Sequence, residues 1–199
     1  MVSDGKVTEL SYLRGRNIWS LDLERESRIL SAVNPNYKRV KLIRVLPNRI
    51  LAVFEKRQAL AYLKLYRYFY VDNQRVLFDA AEPLDLPVIS GLGSKLVDPR
   101  TGVKYDAREL MLALNIIKAF KSIKPLNAFK IERIDVANPA EAAFFLSAGP
   151  EVKIGQEEIK NKLNILASLL LQSYKDLADI KYIDLRFREP VVKLKDAKR

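Results

Sequence analysis

The chain has 199 residues, 49% of them apolar, and 35 Lys and Arg against 24 Asp and Glu give it a formal net charge of +11; the length allows one large or two small cores, and the charge points to an anionic neighbour such as nucleic acid, a membrane surface or an acidic partner. Cysteine and histidine are both absent, which excludes disulfides, thiolate catalysis and Cys-based metal sites, and removes the usual general base and the commonest metal ligand. No G-x-S-x-G, Gly-rich phosphate loop or S-x-x-K spacing occurs, so no catalytic, cofactor-binding or metal residue is assigned.

Val7 to Leu13 alternates loosely and Gly15 closes it, which predicts a strand. Ser20 or Asp22 can cap the helix that follows, Asp22 and Glu24 complement its N-terminal dipole, and Leu23, Leu30 and Val33 fall on one face. The single tryptophan, Trp19, is expected to anchor this packing rather than to bind a ligand. Pro35 to Ala61 holds two runs of β-branched and aromatic residues, Val40 to Val45 and Ile50 to Phe54, joined across Leu46-Pro47-Asn48-Arg49. Pro47 and Asn48 suit the turn positions, so the runs are predicted to form an antiparallel hairpin.

Tyr62 to Phe78 interleaves tyrosines with Lys64, Arg67 and Arg75. Aromatic platforms beside cations can stack single-stranded bases, but strands flanking an Asp72-Asn73-Gln74 turn, with Asn73 left-handed, account for the same pattern better. Leu86 to Leu92 reads as a short buried strand ended by Gly91. Asp106 with Glu109 forms a capping-box pattern for a helix to Lys121 that Pro125 stops. Strands are predicted over Phe129–Val136, Ala143–Ser147 and Glu151–Ile154, then a core helix from Gln156 to Tyr174 lined by Ile159, Leu163, Leu166 and Leu170. The chain closes on Ile180 to Lys195, with Tyr182-Ile183-Asp184-Leu185-Arg186-Phe187 ahead of an apolar strand. No uninterrupted apolar run of about 18 residues occurs.

Three ordered stretches together resemble the bacterial cell-division family FtsQ/DivIB. The first runs through Asn17-Ile18, Leu21-Asp22-Leu23, Pro35, Arg44 to Asn48 and Glu55 to Ala59, similar to the family's POTRA pattern G-N-x-I, x-L-D-L, P-x-V-K, R-x-x-P-N and E-R-x-P-x-A. The second is Leu86-Pro87-Val88-Ile89-Ser90-Gly91-Leu92, similar to L-P-V-I-x-G-L; the third is the Y-[IV]-D-L-R-[YF] signature at Tyr182 to Phe187. Arg75 stands where the family often has Gly, and Arg188-Glu189-Pro190 replaces its small turn. The resemblance implies an α+β fold: a POTRA module (β-α-β-β with a possible extra helix) over residues 1–60, then a mixed β-domain with two packed helices over residues 61–199. It also implies a non-enzymatic scaffold without cofactors that binds FtsB- and FtsL-like divisome proteins by strand addition and helps control septal peptidoglycan synthesis. Other division proteins would be engaged through the POTRA module. The partner site would be Arg186, Phe187, Glu189, Val191, Val192, Lys193 and Leu194. A membrane helix is expected upstream of residue 1, leaving this chain as a soluble periplasmic part at the division site, with no specific nucleic-acid binding. A POTRA-containing transport or outer-membrane assembly component and a basic nucleic-acid-binding module are the alternatives.

Overall fold

The computed structural model describes residues 11–13, 15–79, 84–93, 96, 98–147, 149–172 and 177–195. Over them the chain is a mixed α+β molecule with two hydrogen-bonded sheets, one of two strands and one of nine.

The smaller sheet grows out of the predicted helix and hairpin. Asp22 Oδ1 accepts the backbone N–H groups of Glu24 and Arg25 at 3.1 and 3.0 Å, satisfying orphan donors and starting α1, Leu23–Val33. β1 (Tyr37–Val45) and β2 (Arg49–Lys56) pair antiparallel about the Leu46-Pro47-Asn48 turn. Directly paired residues share a face, so Val40, Leu42, Ala52 and Phe54 point to α1, where they meet Leu23 and Leu30 with Leu13 and Leu21. The opposite face carries Ile43, Val45, Leu51 and Val53.

Three expectations are corrected here. Trp19 does not anchor the core, because it lies in the turn before α1 and is 68% exposed. Val33, one position before the Asn34 C-cap, is exposed rather than buried with Leu23 and Leu30. Of the strand expected over Val7–Leu13, Ser11–Leu13 forms a 3₁₀ turn and residues 7–10 lie outside the described residues; the β-α-β-β order is therefore observed only from α1 onward.

β3 (Ala59–Lys64), β4 (Tyr68–Asp72), β5 (Leu77–Phe78), β6 (Val88–Ser90), β7 (Ile131–Asp135), β8 (Ala143–Leu146), β9 (Glu151–Lys153), β10 (Ile180–Asp184) and β11 (Val191–Leu194) form the larger sheet in the order β11-β10-β9-β8-β7-β6-β3-β4-β5. The pairs β3/β6, β6/β7 and β9/β10 are parallel and the rest antiparallel. α2 (Arg108–Ser122) and α3 (Ile159–Gln172) bury Leu110, Ile117, Leu163, Leu166 and Leu170 in one cluster with Phe69, Phe144 and Ile134 of the sheet. The predicted end of α3 at Tyr174 lies outside the described residues. Gly91 ends β6 because a Cβ there would stand 2.3 Å from the backbone nitrogen of Ala137, a separation no side chain tolerates.

Two local signals resolve differently from their sequence reading. Asp106 does not cap α2, whose N-cap is Ala107 without a side-chain bond; its carboxylate pairs instead with Arg75 at 2.6 Å and Lys104 at 3.5 Å. The left-handed residue after Asp72 is Arg75 (φ 67°) and not Asn73. Asp72 Oδ1 accepts Gln74 N–H at 2.8 Å and Val76 N–H at 2.9 Å, which pulls the turn closed and leaves the left-handed conformation two places later than expected. Tyr62, Tyr68 and Tyr70 are strand residues, as predicted, whereas Tyr66 lies in the bend between β3 and β4; the Tyr62 and Tyr70 hydroxyls lie 2.6 Å apart and both accept the Leu84 N–H. Burial, and then the Tyr62 hydroxyl, push Tyr70 up to about 12.

Arg57 ties the two sheets together. Its Nε donates to Pro35 O at 3.0 Å and its guanidinium to Tyr37 O at 3.3 Å and to the Asp72 carboxylate. Asp72 is only 2% exposed, so this is a buried ion pair whose remaining hydrogen-bonding capacity is used by backbone on both sides.

Candidate partner-binding edge

Tertiary structure brings these C-terminal residues to the end of the nine-stranded sheet, where, among the described residues, β11 pairs only with β10. The pairing sets which groups are free. Leu185 donates its N–H to Lys153 O of β9 at 2.8 Å, so by alternation Tyr182 and Asp184 of β10 turn theirs toward β11. Their partners Lys193 and Val191 point back, which leaves the N–H and C=O groups of Val192 and Leu194 aimed away from the sheet. All four residues of β11 are exposed.

The side chains at this edge continue the core. Val192 and Leu194 stand opposite Ile183 and Ile180, which are buried among α3 and the sheet, so an aliphatic strip runs past the point where the helices cover it. On the other face Val191 and Lys193 stand opposite Asp184 and Tyr182, with Lys153 Nζ 4.6 Å from the Tyr182 ring centre.

Arg186 and Phe187 take different parts. Arg186 Nε lies 3.0 Å from Asp184 Oδ1, its terminal nitrogen is 2.7 Å from Oδ2, and its own N–H donates to Oδ1 at 3.0 Å. Glu141 approaches from the side at 3.8 Å. Burial pushes the Asp184 carboxyl upward, but the side-chain and backbone hydrogen bonds from Arg186, with the charges of Arg186 and Lys153, outweigh it and hold the group below the usual carboxylate range. The same hydrogen bond raises Arg186. Beside this clamp Gly155 takes the left-handed φ of 67°, and a Cβ there would press on Ala140 O at 3.1 Å. Phe187, by contrast, is 61% exposed, with the Arg186 guanidinium 5.9 Å from its ring. Phe187 is therefore a surface residue and not part of the core. Glu189 is exposed in the bend that leads through Pro190 into β11.

The sequence choice of residues passed over Asp184, although it stands inside the Tyr182 to Phe187 motif; a carboxylate two residues before an arginine was the available signal. It also passed over Lys153 and Tyr182, which meet across β9 and β10 and carried no signal along the chain. Among the described residues no group of three or more acidic, Cys or His side chains could hold a metal, and no helix is long and apolar enough to cross a membrane. A pocket of about 210 Å³ between Leu86, Pro87, Ile117, Phe120, Lys121 and Lys130 presents no nucleophile beside a base.

Comparison with known proteins finds a family model, cell division protein FtsQ/DivIB, C-terminal, matching residues 59–186, a stretch that opens on the first residue of β3. Similar proteins include a cell division protein FtsQ of Geotalea daltonii, 27% identical over 165 residues (80% of this chain and 58% of that protein). A cell division protein FtsQ of Syntrophotalea carbinolica is 28% identical over 191 residues (90% and 64%), and a cell division protein DivIB of Clostridium acetobutylicum is 28% identical over 199 residues (96% and 77%). The chain thus spans 58% and 64% of the length of the first two relatives.

Proposed function

Because this chain belongs to the FtsQ/DivIB family of cell-division proteins, we propose that it is a non-enzymatic scaffold of the division machinery, held at the extracytoplasmic face of the plasma membrane at the division site. It binds small coiled-coil divisome proteins of the FtsB and FtsL type by strand addition at β11 and so helps control septal peptidoglycan synthesis. The observation that supports this reading is the open β11 edge with the exposed Phe187 ring beside its entry. An added strand would take the outward groups of Val192 and Leu194 and lay its own aliphatic side chains along their strip. Phe187 is the aromatic anchor, Arg186 the positioning residue that fixes it through Asp184, and Glu189 and Lys193 are rim charges that steer approach. Residues 1–60 and 61–199 act in this proposal as two units, the first open to other division proteins. A fragment of residues 1–60 should melt cooperatively though with marginal stability; no transition by circular dichroism would count against that division.

Calorimetric titration with an FtsB-type peptide tests the edge. Val192→Pro should abolish binding while the fold persists, since the lost N–H points outward. Phe187→Ala should weaken binding by on the order of 2 kcal/mol with the melting temperature nearly unchanged. Undiminished affinity in both variants would sink strand addition at this edge.

A further inference from the structure

The turn ahead of α1 is built to display its tryptophan. Asn17 Oδ1 accepts the Trp19 N–H at 2.9 Å and Asn17 O accepts Ser20 N–H and Oγ at 3.2 and 3.0 Å. Arg44 then bonds the turn on either side of Trp19, through Nε to Ile18 O at 2.9 Å and through its terminal nitrogen to Leu21 O. The indole is therefore held outward at 68% exposure by a fixed backbone. Arg44 is the penultimate residue of β1, so the same bonds bring Trp19 to the hairpin end that carries Leu46, itself 61% exposed, with Val45 next to it.

The charges at this end have one sign to spare. Arg16, Arg44 and Arg49 are exposed there, and Lys41 lies on the sheet face with Ile43, Leu51 and Val53. The nearby carboxylates are occupied: Asp22 caps α1, Glu24 pairs with Arg28 at 3.0 Å, and Glu26 accepts the Tyr12 hydroxyl at 2.6 Å. A projecting indole and leucine with exposed arginines at 16, 44 and 49 in the adjoining turn and hairpin end match the layered chemistry of a bilayer surface, where tryptophan sits at the headgroup level, aliphatic tips reach the acyl boundary and cations meet acidic headgroups.

We propose that the Trp19–Leu46 end of the two-stranded unit docks on a lipid surface rich in acidic phospholipid. This rests on neither β11 nor a protein partner, so it can fail or hold apart from the strand-addition reading.

The 199-residue chain contains a single tryptophan, so its emission reports the contact directly. Mixed with phosphatidylcholine–phosphatidylglycerol vesicles at about 3:1, where each headgroup-facing cation contributes, the protein should co-sediment and its emission shift to the blue; with pure phosphatidylcholine neither should occur. Leu46→Ser should lower the partition about tenfold and Arg49→Gln about fivefold. Trp19→Ala, read by sedimentation alone, should weaken it like Leu46→Ser, whereas Leu194→Ser on β11 should leave it unchanged. An unshifted emission overturns the proposal and leaves the tip to a protein partner. Binding that ignores both Leu46→Ser and Trp19→Ala also overturns it, because diffuse adsorption of a chain with charge +11 would behave that way.

Discussion

β1 and β11 are both outermost strands, yet their free sides are finished in opposite ways. Beside β1 runs α1, whose Ser31 and Ser27 hydroxyls accept the outward N–H groups of Val40 and Leu42 at 3.1 and 3.0 Å. Each hydroxyl passes its own proton back along the helix, to Ser27 O at 2.9 Å and Leu23 O at 2.6 Å. The far edge of the large sheet is closed too, since Leu77 N–H reaches Val103 O at 3.2 Å and Gly102 N–H reaches Leu77 O at 2.7 Å. β11 has no such cover among the described residues, and its aliphatic strip continues the core. Sheet edges left bare invite pairing, and the proposed strand addition at β11 would use such an edge. β2 also shows an uncovered side among the described residues, and it supplies the control below.

The largest expected effect lies where the two sheets meet. Asp72→Ala removes the carboxylate that neutralises Arg57 and closes the β4–β5 turn, and should cost about 3–5 kcal/mol in denaturant unfolding. A loss well under 1 kcal/mol would mean that the two regions are not clamped there and that the comparison concerns independent units.

Next comes the clamp at the open edge. Asp184→Asn should cost about 2 kcal/mol at neutral pH by removing the charged acceptor of Arg186. Because the folded-state pKa of Asp184 is lowered, its contribution is present above its unfolded pKa of about 3.9 and is lost as pH falls through the depressed folded value. The variant's stability should therefore decline less steeply with acid than the parent's, as read from urea midpoints across that range; parallel acid slopes would refute the assignment.

Smaller effects test the covered edge. Ser27→Ala and Ser31→Ala each leave one strand N–H without its partner and should each cost about 1 kcal/mol, detectable as a lower thermal midpoint. If neither moves the midpoint, the helix is not what closes β1. The smallest is a designed silence. Val40 and Leu42 turn outward, so their partners Phe54 and Ala52 aim their N–H groups to the free side of β2. Ala52→Pro should then keep affinity for an FtsB-type peptide within about twofold; a loss equal to that of Val192→Pro would move the docking edge to β2.

Periodicity made most elements readable along the chain. Runs of β-branched residues about a Pro-Asn turn marked the β1–β2 hairpin, alternation marked β7, and the apolar spacing of Leu110, Leu114 and Ile117, then of Leu163, Leu166 and Leu170, marked two core helices. Local rules failed where a distant charge or backbone group competed. Asp106 had the spacing of a cap but was drawn to Arg75 and Lys104, and Trp19 had the size of a core residue but sits in a turn that Asn17 and Arg44 hold outward. The same limit applies to the partner edge. The family resemblance singled out Phe187 and the strand Val191 to Leu194 as neighbours in one motif, because motif and adjacency are properties of the chain. Which of its residues stay uncovered is a property of everything packed around them. Only the tertiary structure could bring α1 against β1 and the Gly102–Val103 loop against β5 while leaving β11 uncovered among the described residues, since backbone donors carry no mark in the sequence of whether another segment will reach them.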